Sequence, residues 1–307
     1  MTKAIKLNKL HKTYKTKTGD VKALNNISLT IEKGSFFGLL GPNGAGKSTI
    51  INILADLVTK DSGEINIMGH DFDKNKINAK NCLGIVPQEL VMDPFFNVKE
   101  TLEIYAGYYG IAKNQRRTNE IIRALGLTDK ATAKPRTLSG GMKRRLLVGK
   151  ALVHDPDIII LDEPTAGVDV ELRDQLWEYI SKLNKNGKTV ILTTHYLEEA
   201  EELCDQIAII NRGKIIANDK KSNLKKLFGV KTLNITIKKI SSKIEKDLKE
   251  FGDISINNNI ISIKYKTENL EYDKLINKLA KNNAEIIDIN TQETDIEDIF
   301  KNLVYQK

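Results

Sequence analysis

The sequence predicts an α/β domain built round a glycine-rich loop, interrupted by a helical insert and followed by a small α+β module. Three observations carry this. Aliphatic runs of strand length alternate with helical patterns over the first 219 residues. The glycine-rich stretch Gly41-Pro42-Asn43-Gly44-Ala45-Gly46-Lys47-Ser48-Thr49 lies between a strand pattern and a helix pattern. Near Asp219 glycine becomes rare and Lys, Asn and Ile take over, dividing the chain into residues 1–219 and 220–307.

The elements follow in order. Ile5, Leu7 and Leu10 read as a strand, with Tyr14 in the polar loop after it. Val21–Ile31 and Ser35–Leu40 are strands separated by the turn Lys33-Gly34. Ile50, Ile51, Ile53, Leu54 and Leu57 recur at helical spacing, so Lys47–Val58 reads as a helix. Glu64–Met68 and Leu83–Val86 are short strands, and about 89–152 is helical, with Gly110 and Gly126 as helix ends. Asp157–Leu161 is a continuous aliphatic run of the kind that parallel strands buried on both faces show. Helix Leu172–Leu183, strand Thr189–Thr193, helix Leu197–Leu203 and a hairpin over Gln206–Ile216 complete one α/β sheet.

The tail reads β-α-β-β-α-β: Thr232–Ile237, Ile240–Phe251, Ile254–Ile256, Ile260–Tyr265, Leu270–Ala280 and Glu285–Ile289. That order resembles a ferredoxin-like module. A last helix, Asp295–Val304, has Thr294 as its expected N-cap.

Composition excludes several classes. The 307 residues are 40% hydrophobic and 29% charged, which argues against wholesale disorder. No stretch approaches the ~20 consecutive apolar residues of a membrane-spanning helix. The basic N-terminus lacks the apolar core of a signal peptide, and Cys82 and Cys204 have no metal-like spacing, so a cytosolic, reduced location is expected. The net charge of +8 is spread: 32 Lys/Arg face 27 Asp/Glu in residues 1–220, and 16 face 13 in the remainder. Without a basic block, no nucleic-acid partner is expected.

Gly41 to Ser48 fits the pattern G-x-x-x-x-G-K-[ST]. Small residues let backbone N–H groups wrap a phosphate at a helix N-terminus, Lys47 neutralises the outer phosphates, and the Ser48 hydroxyl can ligate Mg²⁺. At the end of the aliphatic run stand Asp162 and Glu163, before Pro164. We assign Asp162 to the Mg²⁺ shell and Glu163 to the attacking water; solvated acids in a strand-end turn are the plainer reading. Leu138-Ser139-Gly140-Gly141-Met142 opens a helix, with Ser139 as N-cap and two glycines permitting close approach. Lys143, Arg144 and Arg145 then oppose the helix dipole, which predicts an anion at that end.

Together these elements resemble the nucleotide-binding subunit of an ATP-binding cassette (ABC) transporter. Leu138 to Met142 is similar to the family signature L-S-G-G-Q, with Met142 in place of Gln. The resemblance implies an ATPase that uses ATP and Mg²⁺. Tyr14 then stacks on adenine, Gln88 joins Mg²⁺ to the membrane partner, Ala166-Gly167-Val168-Asp169 crosses the dimer interface with Asp169 at the nucleotide, and His195 contacts the γ-phosphate. It also implies a homodimer that sandwiches ATP between the loop at Gly41 to Thr49 of one copy and Ser139, Gly140 and Gly141 of the other.

Gly140 to Leu146, Pro164 to Asp169, Thr194 to Ala200 and Asp295 to Phe300 are similar to ABC-2 type exporter ATPases. That implies a separate integral-membrane permease, with this subunit cytoplasmic and peripheral on the inner face of the membrane. Met92 to Phe96, Tyr105, Tyr108 and Tyr109 form the expected docking surface. Drug, polysaccharide and lipid cargoes all fit. A soluble ABC ATPase of DNA repair or translation and an importer ATPase remain alternatives at this point. Trp177 reads as core; Cys82 and Cys204 read as buried apolar fillers; Glu198, Glu199, Glu201 and Glu202 read as a solvated helix face.

Overall fold

A computed structural model describes residues 2–17, 19–165, 170–228, 230–238, 248–266, 271–282, 284–292 and 295–305. The chain divides into two compact units, Met1–Asp219 and Lys220–Lys307.

The first unit holds two sheets where the sequence suggested one. The first, in the order β2-β1-β4-β5, contains β1 (Lys3–Thr16), β2 (Gly19–Glu32), β4 (Ser62–Ile67) and β5 (His70–Asp71), with each neighbouring pair antiparallel. β1 continues six residues beyond Leu10, so Tyr14 lies in the strand opposite Val21 rather than in a loop. The reason is a bulged stretch. Lys9 adopts φ 50° and the register slips repeatedly between Leu7 and Thr13, which breaks the alternation without ending the pairing.

The second sheet has the order β10-β9-β3-β8-β7-β6. Its strands are β3 (Phe36–Leu40), β6 (Leu83–Val86), β7 (Ile158–Asp162), β8 (Thr189–Thr193), β9 (Gln206–Asn211) and β10 (Lys214–Lys220). From β9 to β6 the pairing is parallel. β3, β7 and β8 are buried at every position, as continuous apolar runs require when helices cover both faces. β9 and β10 turn at Arg212 and Gly213, both at positive φ.

Helix α1 (Lys47–Leu54) buries Ile50, Ile51, Ile53 and Leu54 in one apolar cluster with side chains of both sheets, including Ile5, Ile65, Phe37 and Ile160. It ends one turn before the expected Val58, because Asp56 takes φ 63° just past the Ala55 cap. A short α2 (Lys76–Asn81) precedes β6. The helical insert comprises α3 (Val98–Tyr108), α4 (Thr118–Ala124) and α5 (Gly140–Leu152). Asn97 and Glu100 close a reciprocal capping box at α3. Helices α6 (Val170–Lys185) and α7 (Leu197–Leu203) flank β8. Trp177 and Cys204 are buried as expected, whereas Cys82 is only half-buried and its thiol donates to the Asn78 carbonyl.

The second unit contains α8 (Lys221–Phe228), β11 (Val230–Ile237), β12 (Asp253–Asn257), β13 (Ile260–Lys266), α9 (Tyr272–Lys281), β14 (Ile286–Gln292) and α10 (Ile296–Tyr305). The sheet order is β12-β13-β11-β14 with antiparallel neighbours, which is the strand order of the split β-α-β arrangement. Residues 239–247 of the expected helix Ile240–Phe251 lie outside the described residues; its end is a single 3-10 turn, Lys249–Phe251. Leu233, Ile235, Ile261, Ile263, Leu275 and Leu279 build a core separate from that of the first unit. The expected cap Thr294 also lies outside the described residues, and the Asp295 carboxylate accepts from the Asp298 amide at 2.7 Å instead.

Candidate nucleotide site

The loop from Gly41 to Gly46 links β3 to α1 and lies close against neighbouring backbone. A Cβ on Gly41 would fall 2.4 Å from the Ile210 carbonyl oxygen of β9. Gly46, at φ +116°, would meet the Ala23 carbonyl at 2.7 Å. Both glycines are therefore demanded by the fold before any ligand is considered. Asn43, Gly44 and Ser48 are exposed, Pro42 and Thr49 half-buried, and Ala45 buried.

Lys47 is buried, and its ammonium donates to the Gly41 carbonyl at 2.7 Å and the Pro42 carbonyl at 3.2 Å. Burial pushes this lysine below the ordinary range, while the charges of Glu163 and Asp162 oppose that shift. Those two carboxylates therefore lie within electrostatic reach of the loop.

Asp162 ends β7, buried, and its carboxylate accepts from the Thr193 hydroxyl at 2.5 Å. Burial raises its pKa and the Glu163 charge adds to this; the Thr193 hydrogen bond, Lys47 and Arg144 act against it. Glu163 turns the chain out of the strand at φ 47°, and its amide donates to the Thr193 carbonyl at 3.0 Å. Gln88 Nε2 donates to Glu163 Oε2 at 2.8 Å, and His195 Nδ1 stands 3.4 Å from the same oxygen. Gln88, Glu163 and His195, which lie far apart in sequence, thus converge on one oxygen atom.

Ser139 caps α5, its hydroxyl accepting from the Met142 amide at 3.2 Å. A Cβ on Gly140 would meet nothing within 4 Å. The expectation that Arg144 and Arg145 await an anion fails. Arg144 is buried and donates to the Pro87 carbonyl at 2.7 Å and the Gln88 carbonyl at 2.8 Å. Arg145 is buried and donates to the Leu125 carbonyl at 2.8 Å. Backbone carbonyls take the terminal nitrogens of both guanidinium groups, though each Nε is buried without a partner among the described residues, and Arg144 in doing so holds the Gln88 loop. Nothing in the local sequence pattern names these partners.

Glu199 was also misread. It is 5% exposed, and its carboxylate accepts from the Thr165 and Thr194 hydroxyls. One signal was available: Glu199 precedes Leu203 by four residues, so it borders the apolar stripe of α7 while Glu198 and Glu202 do not. Tyr14 lies on β1 with the Lys12 ammonium 5.4 Å from its ring centre. Asp169, with residues 166–168, lies outside the described residues.

A family model described as ABC transporter matches residues 24–166. A linearmycin resistance ATP-binding protein of Bacillus subtilis is 36% identical over 304 residues, covering 96% of this chain and 96% of that protein. The chain belongs to the ABC transporter family. A Nod factor export ATP-binding protein I of Cupriavidus pinatubonensis is 40% identical over 226 residues, covering 73% of this chain and 68% of its own length. A solved dimeric ATP-binding cassette in a post-hydrolysis state with ADP and Pi matches at TM-score 0.64 and 29% identity, covering 70% of this chain and 98% of that one. This ABC protein is accordingly an ATP-binding ATPase subunit with the fold of a P-loop cassette.

Proposed function

We propose that the chain is the motor of an ABC-2 type exporter, hydrolysing ATP in a homodimer and driving a separate integral-membrane permease. The observation that carries the hydrolytic part is the convergence of Gln88 and His195 on Glu163 Oε2, within electrostatic reach of Lys47. Lys47 offsets charge on the outer phosphates. Glu163 aligns a water in line with the γ-phosphorus and takes its proton as the bond to the ADP oxygen breaks, and His195 donates to a γ-phosphate oxygen. Tyr14 supplies the adenine platform.

The donor set suits Mg²⁺. Ser48, the Gln88 amide oxygen and Asp162 are hard oxygen ligands, and burial has already made the Asp162 carboxylate costly to leave without a cation. When bound, the ion neutralises charge on the phosphates.

The two-copy site is supported by the open space above Gly140 at the capped end of α5: this chain's own packing does not demand a glycine there. Asp169 belongs to the same interface in this reading. Export is supported by the similarity to the Nod factor export protein. Among the described residues no helix is long and apolar enough to cross a membrane. For the permease, Phe95 and Tyr108 are 74% and 77% exposed, and Tyr105 and Tyr109 line a cleft of about 570 Å³ between α2, α3 and α5. In this reading the subunit works on the cytoplasmic face of the membrane, residues 220–307 form an accessory module, and no nucleic acid takes part.

Mixing variants tests the composite site. Lys47→Ala binds ATP weakly; Ser139→Ala binds it normally but hydrolyses poorly. A heterodimer of the two keeps one site with both halves intact, so mixing restores turnover. If the mixture stays as inactive as its parts, or if Ser139→Ala loses affinity like Lys47→Ala, the two-copy site is wrong.

A further inference from the structure

Two loops carry the residues assigned to the water and the γ-phosphate. One leaves β7 through Glu163 and continues to Thr165; the other leaves β8 through Thr194 to His195. Their ends are held by backbone, since the Glu163 amide donates to the Thr193 carbonyl at 3.0 Å. A second tie lies one layer deeper. Glu199 Oε1 accepts from the Thr165 hydroxyl at 2.7 Å and Oε2 accepts from the Thr194 hydroxyl at 2.8 Å. Thr194 Oγ1 also accepts from the Tyr196 amide at 2.9 Å, fixing the turn on which His195 stands. Thr165, Thr194 and Glu199 are all buried, at 4%, 1% and 5% exposure.

A carboxylate removed from water is costly unless its oxygens are satisfied. Here both are satisfied, one by each loop, so the two loops cannot separate without leaving a buried acceptor unpaired. The tie also bears on backbone strain. Glu163 sits at φ 47°, a region that is unfavourable for a non-glycine residue and persists only where the surroundings enforce it. Anchoring Thr165, two residues on, removes the freedom by which that φ would relax.

We propose that Glu199 is a positioning residue for ATP hydrolysis, clamping the Glu163 and His195 loops into one unit. The proposal rests on the reading of Glu163 and His195 given above. It extends that reading to a buried residue of α7 that acts through Thr165 and Thr194. Misplacing a reacting group by about 1 Å can cost about 10²-fold in rate, which sets the scale expected when the clamp is cut.

The experiment uses the full chain and measures kcat, KM, ATP affinity by titration, and melting temperature. Thr165→Val and Thr194→Val each remove one arm of the clamp while preserving shape. Each is expected to lower kcat about 10- to 100-fold, with ATP affinity unchanged within about twofold. Thr165→Ser and Thr194→Ser retain the hydroxyl and retain turnover. The Val pair loses little more than the worse single variant, because both arms end on one carboxylate. Some fall in melting temperature is expected from the unpaired carboxylate oxygen. Unchanged kcat in the Val variants overturns the proposal, as does a kcat loss matched by an equal loss of ATP affinity, or Ser variants as poor as Val. Glu163→Gln is run alongside. If it abolishes turnover while the Val variants are wild-type, the clamp alone is wrong; if it leaves turnover intact, the reading of Glu163 falls and the clamp with it.

Discussion

Gly41→Ala should lower stability and Gly140→Ala should not, while both reduce ATP turnover. At Gly41 the new methyl would lie 2.4 Å from the Ile210 carbonyl oxygen, 2.8 Å from Ile210 Cγ2 and 3.1 Å from Ala45 Cβ. Two of these neighbours belong to β9 in the parallel sheet, so relief requires backbone movement rather than a rotamer change. Overpacking of this kind costs about 1–3 kcal/mol. For a unit of about 200 residues each kcal/mol lowers the melting temperature by about 2–4 °C, so the fall should be about 2–12 °C. At Gly140 the methyl meets nothing, and alanine is a better helix former than glycine by up to about 1 kcal/mol, so the melting temperature should hold or rise slightly. Turnover nevertheless falls there, because the added methyl projects into the space assigned to the partner copy's nucleotide. Thermal unfolding without nucleotide, beside steady-state ATPase, decides it. A Gly41→Ala protein as stable as wild type would refute the steric argument. A Gly140→Ala protein that melts as low as Gly41→Ala would refute the claim that this glycine serves something outside its own chain.

Burial holds the His154 pKa below its ordinary value of 6.5, opposed in part by the hydrogen bond to the Leu83 carbonyl. The unfolded chain therefore binds the proton first, and stability falls as pH drops below about 6.5 toward the depressed folded value. His154→Phe, which can keep the stack on Tyr109, should lose less melting temperature between pH 8 and pH 5.5; an equal loss would acquit His154. Phe95→Ala should leave basal ATPase intact yet weaken membrane association in cells that contain the permease, as read by fractionation. A chain truncated after Asp219 should fold and bind ATP, because the candidate site precedes that residue; a truncated protein that melts cooperatively but binds no ATP would place part of the site in the second unit.

What the sequence revealed follows from which forces are local. β3, β7 and β8 were legible because strands buried on both faces must be apolar at every position. Ser139 was legible as a cap because the capping bond spans only three residues. The extension of β1 through Tyr14 was hidden by bulges, which alter the side-chain period while the ladder continues. Arg144 and Glu199 were misread for a shared reason. Arg144 donates to carbonyls 56 and 57 residues away, and one oxygen of Glu199 accepts from a hydroxyl 34 residues away, so no window along the sequence displays those partners. Of these groups only Thr194, on the other oxygen of Glu199, is near in the chain. Roles for Gln88 and His195 were available only through the family resemblance, since each is mute alone, and their meeting on Glu163 Oε2 is visible only in the structure.

The tethered Lys47 ammonium has a consequence for the protein in the cell. Immobilising a lysine side chain costs up to about 2 kcal/mol of rotamer freedom, and stripping water from its charge costs more. Folding meets both costs here, because the ammonium is buried on the Gly41 and Pro42 carbonyls. A nucleotide therefore meets an ammonium that folding has put in place, and its binding adds to the stability of the folded unit. A ligand at about 100 times its dissociation constant adds about 2.7 kcal/mol to the stability of the state it binds. That is a large fraction of the roughly 5–15 kcal/mol separating a typical folded domain from its unfolded chain. The lifetime of this subunit should therefore follow the cell's nucleotide supply: in starved cells it becomes a better substrate for proteases, so that energy depletion removes the motor as well as its fuel.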